Sequence, residues 1–179
     1  MVTHRVFRVL YGLALLALCA VLLAAQGWFC APWHNRSATL PDGSMLALRG
    51  ARLTITAGEE LRFESLPGWR VEDALVGDID HDGADDLALL VWRRGSFGPH
   101  LPFWHTKRDY RYSQHIFLYH LDGGVPQPFW MSSALRPQVR RWALDENDDF
   151  AILTREGEET LWGWRSWGIE RLDSPLRVL

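Results

Sequence analysis

The chain contains little cysteine, and none of it lies in the part that could form a globular domain. Among 179 residues only Cys19 and Cys30 are cysteine, and both lie in or at the edge of an N-terminal apolar segment. A disulfide within the rest of the chain is therefore excluded, even where an oxidising compartment would permit one. A metal ion that binds only the folded state could supply the missing cross-link.

Basic runs and known catalytic motifs are also missing. Lys107 is the single lysine, and the formal net charge is −3. No basic run with interleaved aromatics occurs, which argues against nucleic acid as a partner. No Gly-x-Ser-x-Gly motif or phosphate-binding glycine loop is present either. We therefore expect a protein that is not an enzyme.

A long apolar run occupies the N-terminus. Val9 to Ala25 carries no charge and follows Arg5 and Arg8, and a spanning helix needs about 20 mostly apolar residues. We expect residues 1–30 to be a transmembrane anchor or signal segment. The basic flank should stay cytoplasmic, which places the C-terminal domain outside the cytoplasm. Cleavage at Ala25-Gln26-Gly27 would make the protein secreted, but we favour a retained anchor because signal cores usually have about 7 to 15 apolar residues.

Beyond this segment the chain predicts an all-β fold. Residues 31–43 are interpreted as a linker, and 44–179 as an exported β-domain in which short β-like runs alternate with turns. The stretches Trp69–Ser132 and Arg141–Leu172 each predict a four-stranded antiparallel unit resembling a propeller blade. Residues 45–65 predict a partial unit of three strands. Closed propellers have more blades, so we expect an open stack, with a β-sandwich or a ring completed by other chains as alternatives.

One acidic loop stands out, from Asp78 to Asp86. Acids alternate at Asp78, Asp80 and Asp82, Gly83 follows, and another acid closes the loop. Oxygen ligands suit Ca²⁺, and a glycine at the sixth position permits the sharp turn that aims the side chains at one point. The predicted ligands are Asp78, Asp80, Asp82, the Ala84 carbonyl and Asp86. Mg²⁺ could compete weakly, and a solvated acidic turn without metal is the alternative.

The sequence Gly77-Asp78-Ile79-Asp80-His81-Asp82-Gly83-Ala84-Asp85-Asp86-Leu87 resembles the loop of FG-GAP or VCBS repeat proteins. The resemblance covers about one blade, Trp69 to Trp92. It implies that the loop binds Ca²⁺ between two strands, within extracellular blades used in adhesion and in recognition of carbohydrate or protein. A degenerate second copy, Asp145 to Asp149, lacks the central glycine, and we expect it to bind nothing.

Aromatic side chains supply candidate partner surfaces. The long insert Arg93–Ser113 contains Phe103, Trp104, Tyr110 and Tyr112, and long ordered loops are often functional. Trp162 and Trp164 share a strand face and could stack on sugar rings, although large aromatics more often fill cores. The histidines, including His115 and His120, show no Zn²⁺-ligand spacing.

These features predict a membrane-anchored extracytoplasmic calcium-binding β-module that recognises a protein or a polysaccharide. A structural or assembly subunit of a cell-envelope complex is the first alternative. A secreted carbohydrate-active enzyme is the second.

Overall fold

The structure is a computed structural model, and it describes residues 2–25, 34–96, 109–121 and 125–172. One helix, α1 (Val2–Ala25), precedes the strands. In chain order these are β1 (His34–Thr39), β2 (Met45–Gly50), β3 (Arg52–Ala57), β4 (Glu60–Glu64), β5 (Arg70–Gly77), β6 (Asp86–Arg94), β7 (Tyr112–His120), β8 (Gln127–Met131), β9 (Val139–Leu144), β10 (Phe150–Thr154), β11 (Glu159–Arg165) and β12 (Gly168–Arg171).

The strands form three four-stranded antiparallel sheets, β1 to β4, β5 to β8 and β9 to β12, each in sequence order. The predicted all-β fold of four-stranded units behind an N-terminal apolar helix is confirmed. The first unit is complete rather than partial, because β1 lies inside the stretch 31–43 interpreted as a linker and pairs with β2 from His34↔Gly50 to Thr39↔Met45. Its sequence, HNRSAT, lacks apolar alternation. This exposed edge strand is held by backbone pairing and left no hydrophobic pattern to recognise.

The middle sheet lies between the other two, and its central strands β6 and β7 are buried on both faces. On β6, Leu87 and Leu89 pack with the first sheet, whereas Ala88 and Leu90 pack with the third. This division follows from the alternation of side chains along a strand. Two hydrophobic cores result. A strand buried on both faces has a continuous run of apolar residues in its sequence, and β6 contains such a run, LALLVW.

The first strands of the three sheets converge at Asp73. A register shift between Val71 and Asp73 marks a bulge in β5, which re-aims the side chains beside it. One oxygen of Asp73 accepts from the Arg36 guanidinium of β1 at 2.7 Å, and the other accepts from the Trp142 indole of β9 at 3.2 Å. The sheets therefore approach one another along their first strands, as propeller blades do.

The stack has two distinct ends. We call the end with the β1–β2, β5–β6 and β9–β10 connections the aspartate end. Asp42 of the first connection lines one cavity with Asp82 of the second. At Gly77 an added Cβ would lie 2.5 Å from Asp148 Oδ1 of the third. The opposite end, where β1 begins, is called the entry end.

Helix α1 carries the apolar N-terminal segment. Its stretch Phe7–Ala25 has a mean hydropathy of 2.3 and is not buried against the rest of the chain. The segment is long and apolar enough to cross a membrane, and its length and composition fit an anchor or a signal sequence. Cys19 lies exposed on this helix, whereas Cys30 lies outside the described residues.

Candidate metal site

The aspartate loop joins β5 to β6, as predicted, and is shaped by its own carboxylates. Asp80 Oδ1 accepts from the Asp82 N–H at 3.2 Å, and Asp82 Oδ1 accepts from the Ala84 N–H at 2.8 Å. Such bonds to a backbone N–H two residues on are characteristic of Asp in turns. Gly83 has φ 92° and His81 has φ 62°. The turn thus uses glycine where predicted, and it also holds His81 in a left-handed conformation that is uncommon for histidine.

Carboxylate oxygens of Asp78, Asp80 and Asp82 lie within 4.8 Å of one another. A calcium ion holds its oxygen ligands at about 2.3 to 2.6 Å, so ligands on opposite sides of one ion are up to about 5 Å apart. The three side chains therefore converge closely enough to share one cation.

Asp78 supplies a separate sign that a cation fits. Its Oδ2 accepts from the Gly83 N–H at 3.1 Å, whereas its Oδ1 is buried and has no hydrogen-bond partner. A buried carboxylate oxygen without a partner is costly. A cation beside Asp78, Asp80 and Asp82 would satisfy this oxygen and offset the repulsion among the three carboxylates.

Asp86 ties the loop to the middle sheet. It is 1% exposed, and its Oδ2 accepts from the Asp80 N–H at 3.3 Å. Its Oδ1 lies 2.9 Å from His120 Nδ1. Burial raises the pKa of Asp86, the hydrogen bond to His120 lowers it, and the charge of Asp80 raises it. The fourth predicted acid therefore lies at the site, and Asp80 links it to the other carboxylates.

His120 also lies at this site, although the spacing of the histidines in the sequence shows no metal-ligand pattern. One nitrogen of His120 and one oxygen each of Asp80 and Asp86 form a second group within 4.8 Å. The His120 ring also stacks on Phe129, with centroids 4.0 Å apart. The pairing of β6 with β7 brings His120 to the site, since Asp86 and His120 are opposite each other in register. Residues directly opposite on neighbouring strands interact.

The degenerate loop in the third sheet is closed by its own hydrogen bonds. Asp145 Oδ1 accepts from the N–H groups of Asn147 and Asp149 at 2.9 and 3.0 Å. Burial is the main cause that raises the pKa of Asp149, followed by the charge of Asp145. Within the described part of the chain, no group suited to a metal includes these residues.

A cavity of about 600 Å³ lies beside the aspartate loop. The cavity lies between this loop and the β1–β2 turn and is open to solvent. Its walls consist of Leu40, Pro41, Asp42, the residues 82–86, His120 and Leu121. The size is within the range of about 300 to 1,000 Å³ usual for ligand sites. An ion in the loop would order one wall of this cavity.

Among the aromatic residues predicted as a partner surface, the four in the described part of the chain do not form one cluster. Trp162 and Trp164 are partly buried against the core between the second and third sheets, the arrangement that large aromatics most often adopt. Tyr110 is 69% exposed. Tyr112 is half-buried below the Arg94 guanidinium, 5.5 Å from the ring centroid. Phe103 and Trp104 lie outside the described residues.

Comparisons with protein-family models, curated proteins and solved structures found no match to this chain. The resemblance to FG-GAP or VCBS repeats therefore rests on the residues of the aspartate loop alone.

Proposed function

We propose that this protein is a membrane-anchored extracytoplasmic module that binds Ca²⁺ and recognises a protein or polysaccharide at its aspartate end. The observation that carries the proposal is the convergence of Asp78, Asp80 and Asp82 beside the unpartnered buried Asp78 Oδ1. This arrangement favours a cation site over a solvated acidic turn.

The ligand chemistry favours Ca²⁺ over other common ions. The site offers carboxylate oxygens from an irregular turn, and Ca²⁺ accepts such ligands in irregular geometry. Mg²⁺ needs near-ideal octahedral geometry at about 2.0 to 2.1 Å and gives up its waters reluctantly. Zn²⁺ sites usually combine nitrogen or sulfur ligands. Among the described residues, His120 is the one histidine grouped with these carboxylates, and its Nδ1 already hydrogen-bonds Asp86.

The proposed ion would stabilise the aspartate loop and thereby order a binding surface beside it. It would bring together carboxylates that otherwise repel one another and would hold the residues 82–86 that form one wall of the cavity. Since no disulfide can form in the described β-domain, ion binding would be a substantial source of stability there. Ligand recognition should therefore depend on Ca²⁺.

The topology supports a binding site that faces away from the membrane. The chain passes from α1 into β1 at the entry end, and the cavity lies at the opposite end of the stack. Strand β6 has nine residues between these ends, which corresponds to about 30 Å. With α1 retained as an anchor, the cavity would stand clear of the lipid and be open to large ligands.

Recognition is tested with the full chain in nanodiscs on an array of polysaccharides, with Ca²⁺ and with a chelator. We expect Ca²⁺-dependent binding that Asp80→Ala abolishes. The control is Glu146→Ala, which removes the same charge from an exposed residue of the degenerate loop, outside both the proposed ligand set and the walls of the cavity. A parallel cross-linking and pull-down arm tests protein ligands. If neither arm yields a Ca²⁺-dependent partner, the recognition role is wrong.

Assembly into an envelope complex is the second candidate, because of an uncovered hydrophobic area on the third sheet. Trp167, in the β11–β12 turn, is 75% exposed. The outer face of this sheet has a shallow groove with Ala143, Ala151 and Leu161. Large exposed apolar groups mark protein interfaces. A stable complex that is lost in Trp167→Ser and does not depend on Ca²⁺ would favour this role.

A further inference from the structure

Charge is divided between the two ends of the β-stack. Acidic side chains dominate the aspartate end, where the described residues include Asp42, Glu59, Glu60, Asp78, Asp80, Asp82, Asp85, Asp86, Asp145, Glu146, Asp148 and Asp149. Arginine dominates the entry end, with Arg49, Arg52, Arg70, Arg93, Arg94, Arg111, Arg136, Arg140 and Arg155. The acids at the entry end are Glu64, Glu72, Asp109, Glu156, Glu158 and Glu159. The basic end exists although the chain has a net charge of −3.

Part of this positive charge is compensated, and part is presented to solvent. Arg52 pairs with Glu64 at 2.5 Å, and Arg155 lies 4.0 Å from Glu72. A further set of arginines at this end is exposed, and we call it the arginine surface: Arg49, Arg94, Arg111, Arg136 and Arg140. One acid, Asp109, interacts with two of them, Arg111 and Arg136. Arginine binds phosphate groups well because its planar guanidinium offers several donors at once.

The arginine surface lies where the chain leaves the N-terminal helix. Strand β1 begins at this end with His34, and the described residues before it end with Ala25 of α1. The guanidinium of Arg94 also donates to the Ala25 carbonyl, at the C-terminal end of α1. The end of the domain nearest to the proposed membrane anchor is therefore its basic end.

Amphipathic side chains surround these arginines. Tyr110 is exposed, and so is Leu66, at 57%. A groove of about 740 Å³ at the same side includes Leu66, Trp69, Arg94 and Tyr112 among its walls. Tyrosine and tryptophan are enriched at the level of lipid headgroups, and long basic side chains reach toward that level from either side.

We propose that the arginine surface rests on the membrane that holds α1 and binds its anionic lipid headgroups, so that the domain stands upright with its aspartate end outward. The separation of acidic and basic side chains between the two ends favours one orientation of the domain, with the entry end toward the membrane. An anionic bilayer attracts the entry end and repels the aspartate end, whereas a uniformly charged domain of net negative charge would be repelled as a whole. The proposal rests on the membrane anchoring proposed above and is independent of Ca²⁺.

The test measures the height of the aspartate end above the lipid. The full chain, with Cys19→Ala and Cys30→Ala, carries a fluorescent donor at Glu59→Cys and is placed in nanodiscs with an acceptor on the headgroups. Nanodiscs of POPC alone are compared with nanodiscs of POPC and POPG. We expect less energy transfer with POPG, because an upright domain holds the donor about 30 Å from the surface. High salt should abolish the difference, since it shortens the screening length from about 10 to about 3 Å.

Charge reversal identifies the surface involved. Arg136→Glu with Arg140→Glu should remove the effect of POPG, whereas Arg165→Glu with Ser166→Glu, which adds negative charge at the aspartate end, should leave it in place. Equal transfer in both lipids, a rise in transfer with POPG, or equal effects of the two double variants would overturn the proposal. Co-elution of protein and nanodisc is measured separately, so a failure of anchoring is distinguished from a failure of orientation.

Discussion

Gln114 is expected to be essential for the contact between the second and third sheets. It is fully buried on β7, and its Nε2 donates to Glu72 Oε2 at 2.7 Å and to the Val139 carbonyl at 3.0 Å. Its Oε1 accepts from the Val139 N–H at 2.6 Å. The side-chain amide thus pairs with the first residue of β9 much as a neighbouring strand would, and Glu72, which also accepts from the Trp92 indole at 2.6 Å, fixes the orientation of this amide.

The substitution Gln114→Leu keeps the volume and removes these bonds. Two backbone groups of Val139 then lose their partner, and Glu72 loses one of its donors. A buried group left unsatisfied costs about 1 to 3 kcal/mol. Part of this cost is offset by the greater hydrophobicity of leucine, so we expect a loss of about 3 kcal/mol. For a chain of this size this lowers Tm by about 6 to 12 °C.

Thermal unfolding of the full chain in nanodiscs, followed by tryptophan fluorescence, measures this shift. Gln127→Leu is the control, because Gln127 is exposed on β8 and surface changes are usually worth less than about 0.5 kcal/mol. A Gln114→Leu protein that melts within about 1 °C of wild type would refute the reasoning that this amide joins the sheets.

Two further predictions concern the cores. Burial lowers the pKa of His115, so the folded state resists protonation of this residue while the unfolded state does not. The free energy of unfolding should therefore fall as the pH drops below about 6.5 toward the pKa of His115 in the folded state. Chemical unfolding measured from pH 8 to pH 5 should show a smaller fall in His115→Gln than in wild type. An equal fall in both proteins would show that other groups cause the pH dependence. Phe150 is fully buried and stacks on Trp142 with centroids 5.6 Å apart. Phe150→Ala should cost about 3 to 5 kcal/mol in the same assay, and a cost below about 1 kcal/mol would contradict the packing of the third sheet.

The sequence predicted those features whose physical requirements restrict the residues to one recognisable pattern. Strands β6 and β7 of the middle sheet are buried on both faces, and such burial produces an apolar run, as in β6. The aspartate loop needs acids and glycine at fixed spacing, so its position between β5 and β6 could be predicted. By contrast, β1 is a polar edge strand that has no side-chain pattern to reveal it.

Features that depend on pairing or on stacking could not be predicted from local patterns. His120 meets Asp86 because β6 and β7 pair in a particular register. The role of Asp73 as a junction arises from a bulge in β5 together with the approach of β1 and β9. The separation of charge between the two ends likewise appears only after each connection has been assigned to one end of the stack.

The central claim, a calcium site at Asp78, Asp80 and Asp82, is tested most directly by thermal unfolding of the full chain in nanodiscs with Ca²⁺ and with a chelator. At an ion concentration one hundred times the dissociation constant, binding to the folded state alone adds about 2.7 kcal/mol, or about 5 to 10 °C. We expect this shift in wild type and in Asp85→Ala, and its loss in Asp80→Ala and Asp82→Ala. The claim is contradicted if wild type melts at the same temperature with Ca²⁺ as with chelator.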